Sequence, residues 1–173
     1  MLKQSQPVDI LFEEIEAMMA TDDSSLISIG EERLKQQDQE SPDDAHIQYL
    51  IASTFDSLGR EAEAMPHYSR AFEIGIEQLP AHRQPEIFVQ AGSTLRNLNR
   101  FDEARHILQQ GIDRFPHYRA LRVFLALLEA GLNNSTQAMH LLFKVIVMEE
   151  DASLKRYNRS LNAYVKELTV KEV

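Results

Sequence analysis

The chain has 173 residues, 43% of them apolar, with six Gly and six Pro, which suits one helical domain of ordinary size. Cysteine is absent, so no disulfide framework, thiolate nucleophile or cysteine zinc site is available. The net charge of −9 argues against a nucleic-acid phosphate backbone as partner, because such binders carry a basic stripe.

The charge is unevenly placed. Residues 1–44 hold twelve acids against Lys3, Arg33 and Lys35, whereas residues 45–173 hold fifteen charges of each sign. The acidic end either favours a basic partner or is a solvated face that aids solubility. The start, M-L-K-Q-S-Q-P-V-D-I-L-F-E-E, lacks the apolar core of a secretory signal, and the longest apolar run, Val123 to Leu128, is too short to cross a bilayer. The expectation is a cytoplasmic protein without membrane contact.

In chain order, residues 1–7 read as a tail. Asp9 is placed to cap a helix through about Ala20, with Ile10, Leu11, Ile15, Met18 and Met19 on its apolar face. Thr21 to Ser25 make a turn. A second helix carrying Leu26, Ile27, Ile29, Gly30 and Leu34 ends before Ser41-Pro42. The next unit repeats this layout with Ile51, Ala52, Phe55 and Leu58, then Ala64, Tyr68 and Ala71, and either Asp43 or Asp44 can cap its first helix. Gly59 sits at the turn, where a left-handed backbone is expected. Pro66 conflicts with a helix that starts at Glu61, so the regular helix should begin between Glu61 and Ala64.

The third unit is P-E-I-F-V-Q-A-G-S-T-L-R-N-L-N-R-F-D-E-A-R-H-I-L-Q-Q-G-I-D-R-F-P, residues 85–116, two amphipathic helices around Asn99-Arg100. The unit starts Leu11 and Ala45 are separated by the same interval as Pro85 and Arg119, but the step from Ala45 to Pro85 is longer. Six residues are therefore inserted near Gly75 to Gln84, with a longer helix ending near Leu79 as the expected result. The fourth unit keeps small residues at Ala126 and Ala138, and its first helix, A-L-R-V-F-L-A-L-L-E-A, is apolar nearly all round and should be covered on both faces. A last helix over about 152–168 carries Leu154, Tyr157, Leu161, Tyr164 and Leu168. This seam serves either as a cap or for pairing with a second copy.

The pattern Phe88-x2-Ala91-Gly92-x2-Leu95, Ala104-x3-Leu108 and Pro116 resembles the tetratricopeptide repeat, with Phe and Leu where the consensus prefers Trp and Tyr. Glu129 and Glu150 depart from it, standing where the consensus has an aromatic residue and a proline. The resemblance implies an all-α fold, a right-handed superhelical array of helix-turn-helix repeats closed by a C-terminal capping helix. The whole of 1–173 then forms a single domain: a degenerate repeat at 8–42, repeats at 45–78, 85–118 and 119–152, and the cap at 152–168. It implies a groove for a partner segment lined by Tyr49, Ser53, Asp56 and Ser57, by Glu86, Val89, Gln90, Ser93, Arg96 and Asn97, and by Val123, Phe124 and Leu127. The apolar end of that groove either stays open or lies under the last helix.

Some members of the family grip a carboxylate with cations in the groove. Here Tyr49, Ser53, Gln90, Ala120 and Phe124 hold the matching positions, and a register one repeat earlier gives Ile15, Met19, Leu50, Glu86 and Gln90. Neither makes a cationic clamp. The stretch 93–127 also resembles a bacterial group of short tetratricopeptide proteins of unassigned activity, which implies dimers. The six histidines are scattered without HExxH, and no Gly-rich phosphate loop is evident, so no cofactor, metal or catalytic residue is expected. The function read at this level is a non-catalytic adaptor binding a protein or peptide. A structural homodimer and a small-peptide sensor are the alternatives.

Overall fold

The computed structural model of the chain describes residues 8–146 together with residues 157 and 159. The predicted cap at 152–168 lies outside the described residues except for Tyr157 and Arg159, as do Leu154, Leu161, Tyr164 and Leu168 and the N-terminal tail. Among the described residues the fold is all-α. The helices are α1 (Val8–Met19), α2 (Ser24–Glu40), α3 (Ala45–Ser57), α4 (Glu61–Ile74), α5 (Arg83–Asn97), α6 (Phe101–Arg114), α7 (Arg119–Gly131) and α8 (Ser135–Ile146), with a 3-10 turn at Ile76–Gln78. They divide into two compact units at Ile87/Phe88, within α5.

In the first unit, local chemistry sets the helix starts. Asp23 caps α2 by accepting from the Ser25 and Leu26 amides at 2.8 and 3.4 Å. Asp44 caps α3 by accepting from the His46 and Ile47 amides at 2.8 and 3.1 Å, while its neighbour Asp43 pairs with Arg70 instead. Asp9 does not cap α1. The helix already includes Val8, and the Asp9 carboxylate lies in its first turn, accepting from Arg83 at 2.6 Å. Gly30 allows α2 to close on α1, since a Cβ there would stand 2.5 Å from Met19 Cγ. α3 buries eight of its 13 residues and is the central helix of this unit, packing against α1, α2 and α4.

Two expectations for α4 need correction. The helix starts at Glu61 despite Pro66. Pro66 and Ala62 are both exposed, so the Ala62 carbonyl that loses its helical donor can bond to water. The helix also stops at Ile74 rather than extending to Leu79. Gly75 takes φ 121° and ψ 120°, a conformation closed to an L side chain and incompatible with a further helical turn. The inserted residues instead form the 3-10 turn, which buries Ile76 and Leu79. α5 then begins at Arg83, with Pro85 in its first turn, where a missing amide proton costs no helical bond.

In the second unit, α6 buries Ala104, Leu108, Gly111 and Ile112 along one face. Small residues let the helices approach: a Cβ on Gly92 would lie 2.6 Å from Leu108 Cγ, and one on Gly111 would lie 2.7 Å from Phe88 Cβ. α7 buries nine of its 13 residues, as its apolar circumference requires.

One turn recurs that the sequence reading recognised only at Gly59. Asn99 and Asn133 also take positive φ, at 61° and 64°, beside Gly59 at 72°. The residue after each sends its amide back to the carbonyl five positions earlier: Arg60 to Phe55 at 2.9 Å, Arg100 to Leu95 at 2.9 Å and Asn134 to Glu129 at 2.8 Å. This closure satisfies a carbonyl in the last turn of each of these three helices, and Asn is the non-glycine residue best suited to it.

Candidate partner-binding site

The predicted groove residues fall into two classes by burial. In the first unit, Tyr49 is fully buried and Glu86 nearly so, with the Tyr49 hydroxyl donating to the Glu86 carboxylate at 3.3 Å. The Arg83 guanidinium lies 5.2 Å from the Tyr49 ring centre while it donates to Asp9. Ser53 and Asp56, one turn apart on α3, are half-buried, and Asp56 accepts from the Tyr68 hydroxyl at 3.5 Å. Ser57 is exposed.

In the second unit, Val89 is buried on α5, Gln90, Ser93 and Arg96 are half-buried, and Asn97 is exposed. Arg96 and Asn97 line a cleft of about 270 Å³, joined by Asn99, Phe101, Leu128, Gly131 and Leu132. None of the last five was singled out from the sequence as a groove residue. The usable signal was the Leu-Asn turn, which places Asn99 and Leu132 at helix ends. Val123 and Phe124 on α7 are buried, and Leu127 is half-buried. Tyr157 covers Phe124, with ring centres 5.4 Å apart at an edge-to-face angle of 72°, and its hydroxyl is 3.2 Å from that of Tyr118. The apolar end of the predicted groove is therefore occupied at this point by a residue of the same chain. Tyr157 itself, predicted as a seam residue, is buried.

Glu129, the departure from the repeat consensus, is nearly buried and accepts from Arg105 Nε and from Asn134 Nδ2, each at 2.6 Å. The Arg105 guanidinium holds its carboxyl below the usual carboxylate range against the opposing effect of burial. The polar residue thus stands at a core position because two donors meet it there.

Two histidines of the first unit are held below the ordinary histidine pKa. Burial is the largest cause for both. Arg83 adds to it at His46, and Asp9 and Asp38 oppose it at His46 and His67 respectively. His67 Nδ1 donates to Gln48 Oε1 at 2.8 Å, and Gln48 Nε2 donates to Asp38 at 2.8 Å. With the folded pKa lowered, the unfolded chain binds protons first as pH falls. The stability these groups permit is thus complete above about 6.5, the unfolded value, and is lost as pH falls through it toward the folded value. Thermal melts at pH 7.5 and 5.5 should show a lower midpoint at the acidic pH. His46→Gln/His67→Gln should flatten that dependence, and an unchanged slope in the variant would remove the histidines as its cause.

No helix among the described residues is long and apolar enough to cross a membrane. A family model described as the tetratrico peptide repeat matches residues 45–168. The chain belongs to the tetratricopeptide repeat family. Repeats of this family build protein–protein interaction scaffolds. The helical pair α1–α2 precedes the matched tetratricopeptide region. Among solved structures, this tetratricopeptide chain is similar to a point mutant of MamA, at 18% identity and a TM-score of 0.61, over 86% of this chain and 81% of that one. It is likewise similar to a second MamA structure, from MSR-1, at 17% identity and a TM-score of 0.62, over 84% and 78%. A search of the curated proteins gives no match.

Proposed function

We propose that the chain is a non-catalytic cytoplasmic adaptor that holds a segment of a protein partner, with α5 as the principal contact. The observation that carries this reading is the row Gln90, Ser93 and Asn97 at i, i+3 and i+7 on α5, beside a cleft lined by Arg96 and Asn97 together with Phe101, Leu128 and Leu132. A peptide presents regularly spaced backbone polar groups and intermittent apolar side chains. Polar groups at helical spacing next to a recess lined by polar and apolar side chains together can read both at once.

The discriminating pair is wild type and Arg96→Glu/Asn97→Ala, substituted where side chains reach solvent. A partner captured from lysate is then titrated in purified form against both proteins. Affinity should fall at least about tenfold in the variant while its melting temperature stays within a few degrees. Equal affinity for the two proteins would refute the α5 site.

A further inference from the structure

Within each unit, two helical pairs are tied by a polar joint at equivalent repeat positions. In the first unit, Arg60 at the start of α4 donates to Glu31 on α2 at 2.7 Å. Position 60 therefore looks back to the preceding pair, and position 31 looks forward. In the second unit, two repeats and the insertion further along, Arg105 on α6 corresponds to Glu31 and Asn134 before α8 to Arg60. Both donate to the Glu129 carboxylate on α7 at 2.6 Å.

The first and the last of the described helical pairs carry these positions in apolar form. One repeat before Arg60 stands Leu26, and one repeat after Arg105 stands Met139. Leu26 is 37% exposed and Met139 56% exposed. Each is extended one turn along its helix, by Ile29 at 46% and Leu142 at 42%. The repeat counterpart of Ile29 in the second pair is Glu63, an exposed carboxylate bound to Arg60. The counterparts of Leu142 are Leu34, Tyr68 and Leu108, all buried. Apolar residues thus stand open where the fold elsewhere places ions or covers the side chain.

We propose that these two faces join successive copies of this chain head to tail, Met139 and Leu142 of one copy packing on Leu26 and Ile29 of the next. Met139 then meets Leu26 as Glu31 meets Arg60 within the chain. Charge selects this pairing over a symmetric one. Residues 8–40 hold ten acids against Arg33 and Lys35, whereas residues 119–146 hold Arg122, Lys144 and the buried Arg119 against the buried Glu129 alone. Like ends repel and unlike ends attract. A heterologous contact of this kind leaves one face of each sort free on a pair, so association is expected to continue past two copies, into a ring or a filament. The inference is separate from the adaptor reading, because it uses α2 and α8 rather than α5.

Sedimentation of the full chain over rising concentration tests the inference. The weight-average mass of wild type should rise without a plateau at the dimer, and less steeply in about 0.5 M salt. Leu26→Glu and Met139→Glu should each need at least about tenfold more protein to associate. Each blocks one end only, so an equimolar mixture should form a pair and stop there. The double variant L26R/M139E recreates the Arg60–Glu31 joint between copies and should restore growth. A wild type that stays monomeric, a plateau at the dimer, or single variants that associate as wild type does would each overturn the proposal. A monomeric Met139→Glu with a strongly lowered melting temperature beside a monomeric wild type would also overturn it, showing that this face seats a part of the same chain.

Discussion

Tyr49→Ala is expected to lower the unfolding free energy of the first unit by about 3–5 kcal/mol, the range for emptying a buried aromatic site. The ring is fully buried, stands 6.3 Å from that of Tyr68, lies beneath the Arg83 guanidinium and sends its hydroxyl to Glu86. Truncation removes all three contacts at once, and α3 is the helix against which α1, α2 and α4 pack. Tyr49→Phe keeps the packing and loses the hydroxyl bond, and should cost only about 1 kcal/mol. Urea denaturation of the three proteins gives the comparison. A loss under about 1 kcal/mol for the alanine variant would place Tyr49 on an accessible surface instead. The result bears on function, because the repeat register assigns Tyr49 to the partner groove. A binding defect in Tyr49→Ala would report an unfolded scaffold, which is why the α5 residues are the better probes.

Leu108→Ala should destabilise the second unit by about 2–5 kcal/mol, since Leu108 is buried against the backbone of α5 at Gly92. Gly92→Ala introduces a Cβ 2.6 Å from Leu108 Cγ and 2.8 Å from its Cδ2. The crowding costs about 1–3 kcal/mol, offset in part by the roughly 1 kcal/mol that alanine gains over glycine within a helix. The two changes are complementary: the methyl added at residue 92 occupies space that the shortened residue 108 vacates. The double variant should therefore lose about 0.5–3 kcal/mol less than the separate losses together. A denaturant-based double-mutant cycle measures the difference. Strict additivity would show that α5 and α6 do not interlock at these two residues.

The groove register carried over from the family names residues of both burial classes. Gln90, Ser93, Arg96 and Asn97 reach solvent in part or in full, and two of them line the cleft. It could not distinguish these from Tyr49, Glu86, Val89 and Phe124, which occupy analogous positions yet are buried. Periodicity says which residues share a helix face. It does not say whether another side chain lies over that face. The Phe124 face shows this most plainly, because its cover, Tyr157, comes from beyond the end of α8.

What the sequence determined by itself was local. Apolar spacing, a cap at Asp43 or Asp44, the left-handed Gly59 and the small residues at Gly92, Ala104 and Ala138 specify paired helices, because each acts within a turn or two of its own position. Tertiary structure decided the course of the insertion after α4 and the fate of the polar residues. Burying Ile76 and Leu79 holds the turn that Gly75 begins, and no short window of sequence contains those contacts. Glu129 is an anomaly in the repeat pattern until Arg105 and Asn134 converge on it. Tyr49 reads as a groove residue until Arg83 and Glu86, both on α5, close around it. A buried charge or hydroxyl is tolerated only where partners from distant parts of the chain arrive together, and that meeting is a property of the folded packing.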